Sequence, residues 1–166
     1  TMPSHEVLNA KLAEFERSVS ACDLVILSDY AKGTLAHVER MIRLARRLGK
    51  PVLLDPKGED YLRYRGATAL TPNKTEFRQV VGRWWDEAEL NAKAQRLRQT
   101  LRLEALLVTR SDEGMTLFSR SGVLNVPAQA GEVYDVRGAG DTVIATLGVK
   151  LASGASWSES VRAANL

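Results

Sequence analysis

Asp23-Leu-Val-Ile-Leu-Ser28 and Pro51-Val-Leu-Leu-Asp55 flank a segment in which Leu35, Val38, Ile42, Ala45 and Leu48 recur at helical spacing. Continuous apolar runs of this length read as strands buried on both faces of a parallel sheet. The stripe between them reads as an amphipathic helix that Gly49 stops. A strand, a helix and a second strand in that order imply a right-handed crossover. Arg40, Arg43, Arg46 and Arg47 fall mostly off the stripe, which predicts a solvated basic face.

The same alternation continues outward. Ala67-Thr-Ala-Leu-Thr71, ended by Pro72, and Ala105-Leu-Leu-Val-Thr109 read as two more strands. Between them Asp86 and Glu89 form a capping box ahead of Leu90, Ala94, Leu97 and Leu101. Met115-Thr-Leu-Phe118 and Val123-Leu-Asn-Val126, joined through Ser119-Arg-Ser-Gly122, read as an antiparallel hairpin. A glycine-rich turn at 138–140 then opens a helix with Val143, Ile144, Leu147 and Leu151 inward, closed by Gly154. Ser156 and Glu159 open a last helix by another capping box. The expected fold is α/β: a doubly wound, mostly parallel sheet with helices on both faces and a small antiparallel hairpin.

Composition narrows the function classes. With 166 residues, 45% of them hydrophobic, the chain can bury a core and is not disordered. It has no 18-residue apolar run, so no membrane partner is expected. Cys22 is the single cysteine, and with His5 and His37 it is too little for a structural zinc site. The start carries no signal-peptide pattern, and the expected location is cytoplasmic. A net charge of +3 permits an anionic ligand. The arginine face has no aromatic platform beside it, so no nucleic-acid partner is expected. His37 is expected on an exposed helix face, and Trp84 and Trp85 packed against a helix pair.

In open α/β sheets ligands bind beyond the carboxyl ends of the strands. The polar residues there are Ser28-Asp29, Asp55-Pro56-Lys57, Thr71-Pro72-Asn73 and Thr109-Arg110. The most informative segment is Asp135-Val-Arg-Gly-Ala-Gly-Asp141. Gly138, Ala139 and Gly140 offer backbone N–H groups at a helix start, where donors and dipole favour an anion. Asp141 in that turn is placed to take a proton from a hydroxyl attacking a phosphate. A glycine turn with an ordinary helix-start aspartate reads the same way from spacing alone. The segment is neither a P-loop nor a dinucleotide fingerprint. Asn73-Lys-Thr-Glu76 reads first as a capping box, and a helix start capped in this way can also face phosphates.

Gly138-Ala-Gly-Asp141 preceded by Asp135 resembles a signature of the ribokinase-like (PfkB) carbohydrate kinases. Asn73-Lys-Thr-Glu76 resembles the family's Asn-x-x-Glu motif, and Val108-Thr-Arg-Ser111 followed by Gly114 resembles its nucleotide-loop strand end. Ser28-Asp-Tyr-Ala-Lys-Gly33, Asp55-Pro-Lys-Gly58, Tyr64-Arg-Gly66 and Glu132-Val-Tyr-Asp135 are most similar to the branch acting on a phosphorylated heptose. Arg137 departs from the pattern, which has a small residue there.

The resemblance implies ATP-dependent phosphorylation at C1 of heptose 7-phosphate, a step toward ADP-heptose and lipopolysaccharide. It leaves open another sugar or nucleoside kinase of the family, or a catalytically silent nucleotide-binding fragment. Asp141 is implied as the base and the amides of Gly138, Ala139 and Gly140 as the anion hole. Asn73 and Glu76 are implied to organise Mg²⁺ through water, with Lys74 and Thr75 beside them. Thr109, Arg110, Gly114 and Asn165 are implied along the nucleotide, and Asp29, Lys32 and Lys57 toward the sugar substrate. Residues 1–166 would form the C-terminal nucleotide-binding part, without the family's N-terminal sugar-binding and lid half. A homodimer or other self-association is then expected through uncovered sheet edge.

Overall fold

The computed structural model describes residues 5–28, 35–128 and 139–165. Helix α1 spans His5–Ser20 and leads into strand β1, Val25–Ser28. Helix α2, Leu35–Arg47, connects it to β2, Val52–Asp55. Gly49 closes α2 at φ 74°, a left-handed conformation that lets the Lys50 amide reach the Ala45 carbonyl at 2.9 Å. A 3-10 turn, Leu62–Tyr64, precedes the two-residue strand β3, Ala69–Leu70. Helices α3, Lys74–Val81, and α4, Glu87–Thr100, lead to β4, Ala105–Thr109. Strands β5, Met115–Ser119, and β6, Gly122–Val126, form the hairpin. Helices α5, Ala139–Ala152, and α6, Trp157–Ala164, complete the described chain.

The six strands lie in sequence order, β1 to β6. The first four are parallel, and β5 and β6 are antiparallel. Successive crossovers progress one way and place their helices on one face. The other face is covered by α5 and α6, giving the expected helix–sheet–helix layering.

Strand alternation divides the core in two. Leu54, Leu70, Leu106 and Val108 point to one side with Ile42, Phe77, Leu90 and Tyr64. Leu53, Ala69, Ala105 and Leu107 point to the other with Val143, Ile144, Leu147 and Val161. Leu53, Leu54 and residues 105–107 are fully buried, so β2 and β4 read as unbroken apolar runs for the reason given from sequence.

Five details differ from the sequence expectations. Helix α1 has no counterpart in them. Strand β1 starts at Val25 and β3 contains only Ala69–Leu70, because pairing rather than hydrophobicity sets strand ends. His37 is half-buried, and its Nδ1 has no hydrogen-bond partner among the described residues. Trp84 packs on Phe77 with ring centroids 5.8 Å apart, whereas Trp85 stands 88% exposed. Arg46 also leaves the solvated face to donate to Thr68 Oγ1 at 3.0 Å.

Candidate functional site

Parallel pairing brings the strand ends to one edge. Ser28 lies opposite Asp55 in the β1–β2 register. Beyond β3, Asn73 forms an isolated parallel bridge with Thr109, whose amide donates to the Pro72 carbonyl at 3.1 Å. The candidate residues of three segments, 55–57, 73–76 and 109–114, therefore converge although they are far apart in sequence.

Asn73 caps α3. Its Oδ1 accepts from the Glu76 amide at 2.8 Å, while its own amide donates to Glu76 Oε1 at 3.0 Å. The other carboxylate oxygen, Oε2, accepts from Lys57 Nζ at 3.2 Å. The same ammonium lies 3.5 Å from Asp55 Oδ2. Burial alone would lower the Lys57 pKa, but Asp55 and Glu76 outweigh it and hold it above the ordinary lysine value.

The Lys57 backbone is held from below. Tyr64 Oη accepts from the Lys57 amide at 3.1 Å and donates to its carbonyl at 3.0 Å. Arg63 donates to that carbonyl and, at 2.8 Å, to Tyr64 Oη. Tyr61 packs edge-on against Tyr64 and is buried, its hydroxyl without a partner among the described residues. Burial first, then Glu76, Tyr64 and Asp55, push that phenol far above its ordinary pKa.

Arg110 and Lys74, both expected along the nucleotide, meet in a second cluster. Arg110 is 7% exposed, and its guanidinium donates to Glu87 Oε1 at 2.7 Å, Glu87 Oε2 at 3.3 Å, Glu113 Oε2 at 3.0 Å and Thr116 Oγ1 at 3.2 Å. The Glu87 hydrogen bond is the main reason its pKa is raised. Glu113 also accepts from Lys74 Nζ at 2.6 Å, which is the main cause of its lowered pKa. Arg110 thus reaches the strand edge with its charge already engaged by two carboxylates.

Gly114 sits at φ 86°. A Cβ there would lie 2.1 Å from the Val126 carbonyl oxygen and 2.7 Å from the Ala128 nitrogen. Only glycine lets the start of β5 pass so close to the end of β6. Asn165, 4% exposed at the C-cap of α6, donates from Nδ2 to the Pro127 carbonyl at 2.8 Å. Gly114 and Asn165 therefore hold the same 126–128 backbone.

Thr75 is exposed on the first turn of α3 and Thr109 is half-buried at the end of β4. Ala139, Gly140 and Asp141 occupy the first turn of α5, as the sequence implied. The Asp141 side chain, and Gly138, Asp29 and Lys32 entirely, lie outside the described residues.

Asp55, Arg63, Tyr64, Glu87 and Glu113 had no assigned role in the sequence reading. Asp55 was visible as a strand-end carboxylate. Glu87 lies 23 residues from Arg110, and no local spacing signals that pair.

Among the described residues no cluster of three metal-ligating side chains occurs. Asp55 at the end of β2 and Glu76 in the first turn of α3 nonetheless offer hard carboxylate oxygens around one ammonium. That set suits a hydrated Mg²⁺, which uses one or two carboxylates and keeps several waters.

Open α/β sheets bind ligands beyond the carboxyl ends of their strands, and the polar groups of this sheet gather at that edge. The chain belongs to the pfkB family of carbohydrate kinases, whose sequence pattern matches residues 2–166. It is 55% identical over 163 residues to a D-beta-D-heptose 7-phosphate kinase of Bordetella bronchiseptica, covering 98% of this chain and 52% of that protein. To the bifunctional protein HldE of Methylococcus capsulatus it is 53% identical over 156 residues, covering 93% of this chain and 33% of that protein. The chain thus spans about half the length of the first relative and a third of the second.

Solved structures show the same fold. Escherichia coli phosphofructokinase-2 in complex with fructose-6-phosphate aligns over 99% of this chain and 55% of its own, at TM-score 0.78 and 20% identity. Arabidopsis thaliana ribokinase complexed with ribose and ATP aligns over 99% and 53%, at TM-score 0.75 and 22% identity. Among the described residues no helix is long and apolar enough to cross a membrane.

Proposed function

We propose that this chain supplies the nucleotide-binding part of a kinase that transfers the γ-phosphoryl group of ATP to the C1 hydroxyl of heptose 7-phosphate. The observation that carries this reading is the 55% identity to the Bordetella kinase across nearly the whole chain. The product is heptose 1,7-bisphosphate, which serves ADP-heptose and lipopolysaccharide synthesis in the cytoplasm.

Asp141 accepts the proton of the C1 hydroxyl as the bond from that oxygen to the γ-phosphorus forms. The bond from the γ-phosphorus to the bridging oxygen breaks, and ADP leaves. The amides of Gly138, Ala139 and Gly140 stabilise the charge on the transferring group; one such donor contributes about 3 kcal/mol. Asn73 and Glu76 would hold a hydrated Mg²⁺, which would supply positive charge to the nucleotide phosphates. Lys74 and Thr75 lie beside it. Thr109, Arg110, Gly114 and Asn165 shape the nucleotide groove, Arg110 by fixing the 110–114 loop. Asp29, Lys32 and Lys57 contribute to binding the sugar. The outer edge of β1 carries Ile26, 42% exposed, and supports self-association.

The test is Mg²⁺-dependent ADP release by the full-length protein with heptose 7-phosphate, fructose 6-phosphate and ribose offered separately. Turnover confined to the heptose and reduced at least about 1,000-fold in Asp141→Asn is expected. Preference for another sugar would move the chain to a different branch of the family. ATP binding without any turnover would make it a silent nucleotide-binding protein.

A further inference from the structure

We propose that Lys57 is a resident counter-ion of the divalent-cation site: its ammonium holds the Asp55 and Glu76 carboxylates together and is displaced when the hydrated cation arrives. This deepens the reading of Glu76 as a cation-organising residue and rests on it.

The geometry is that of one cation shared by two anions. Nζ lies 3.2 Å from Glu76 Oε2 and 3.5 Å from Asp55 Oδ2, although the two carboxylates come from different elements. Without a positive charge between them they would repel, and one would protonate or turn away. Glu76 is poorly able to turn, because its Oε1 is held by the Asn73 amide in the capping box. Its Oε2 therefore stays directed at whatever cation sits between the strand ends.

The anchoring of Lys57 suits a cation that moves. Its backbone is fixed on both sides by Tyr64 and Arg63. Its side chain, by contrast, is 38% exposed, and both contacts are made by the terminal ammonium alone. A lysine holds carboxylates as a flexible point charge, without the bidentate lock of an arginine. It can withdraw into solvent while the loop stays in place. Charge favours the exchange, because a divalent cation brings one more positive charge between the two carboxylates than the ammonium it replaces. Lys74, the other lysine of the strand edge, is bound instead to Glu113, which it shares with Arg110.

The test uses Mn²⁺ alone, with no nucleotide or sugar, titrated into the full-length protein and followed by electron paramagnetic resonance. Lys57→Met should bind Mn²⁺ about tenfold more tightly than wild type, the effect of removing one close competing charge. Lys57→Arg, which keeps the charge and adds a bidentate hold, should bind no more tightly than wild type, and Lys93→Met, whose ammonium serves the Val81 and Arg83 carbonyls and Glu89, should stay within about twofold of it. An unchanged or weaker affinity in Lys57→Met, or no Mn²⁺ binding to any of the proteins, would overturn the inference. A second readout needs no variant. Saturating Mg²⁺ should raise the acetylation of Lys57 by an amine-reactive reagent, measured by peptide mass spectrometry; unaltered reactivity would overturn it as well. Neither readout involves phosphoryl transfer. A protein that fails to phosphorylate heptose would lose the proposed reaction while leaving both results intact.

Discussion

The guanidinium of Arg110 meets both carboxylate oxygens of Glu87, at 2.7 and 3.3 Å, and so ties the end of β4 to the first turn of α4. Arg110 is almost fully buried, while Glu87 is largely exposed. The pair is therefore a buried cation served from the surface, with Glu113 as its second anion. Removing one carboxylate leaves the other in place. Removing both leaves a buried charge without an ionic partner.

Glu87→Gln alone should lower unfolding stability by about 1 kcal/mol. Glu87→Gln with Glu113→Gln should cost clearly more than the two single losses added together. Urea unfolding of the four proteins in this double-mutant cycle measures the coupling, and strict additivity would show that the two carboxylates act independently.

Gly114→Ala should be severe. Its Cβ would overlap the Val126 carbonyl, and the positive φ adds strain. A loss above about 4 kcal/mol is expected. Gly122→Ala is the matched comparison, because Gly122 also has positive φ but open space around its Cβ. It should cost only about 1 kcal/mol. Equal losses at both sites would remove the steric argument.

Acid should release the Lys74–Glu113–Arg110 cluster. The Glu113 pKa is depressed in the folded chain, chiefly by the hydrogen bond from Lys74. Its stabilising contribution is therefore complete above the unfolded value of 4.5 and is lost as pH falls through the lower folded value. Glu113→Gln should lower Tm at pH 7 and narrow that difference progressively below the unfolded value. A Tm difference independent of pH would contradict this sign.

Asn73 separates capping from cation chemistry. Asn73→Ala should destabilise by about 1 kcal/mol through loss of the α3 cap. Asn73→Asp should keep the cap, since aspartate accepts from the Glu76 amide equally well. If Asn73 also organises the cation, Asn73→Asp should shift the Mg²⁺ concentration needed for half-maximal ADP release by about threefold or more. Wild-type Mg²⁺ dependence in a stable Asn73→Asp protein would leave Asn73 as a cap only.

The hydrogen bond from the Asn165 side chain to the Pro127 carbonyl can be tested separately from packing. Asn165→Ala frees the Pro127 carbonyl and loosens the 126–128 backbone that Gly114 lies against. KM for ATP should rise by about fivefold or more, with KM for the sugar changed by less than about twofold. Equal rises in both would place Asn165 outside the nucleotide groove.

Much of the fold was legible because its signals are local. The buried runs ending at Asp55 and Thr109 mark strands covered on both faces, and Gly49 and the N-caps Asn73, Asp86 and Ser156 mark helix ends. Each depends on neighbours within a few residues. The hairpin from Met115 to Val126 was visible for the same reason. Helix α1 carries the same kind of local signal, Leu8, Leu12, Phe15 and Val19 at helical spacing, but lies ahead of the strand–helix alternation.

The sequence by itself determined the strand–helix alternation, the caps and the order of the motifs that place this chain in its family, since all three are written in adjacent residues. Only the tertiary structure decided which charges meet. Lys57 finds Glu76 across 19 residues, Arg110 finds Glu87 across 23, and Asn165 finds Pro127 across 38. Those encounters are set by strand register and by which face of the sheet each helix covers. No spacing along the chain encodes either, because both follow from the whole core packing at once.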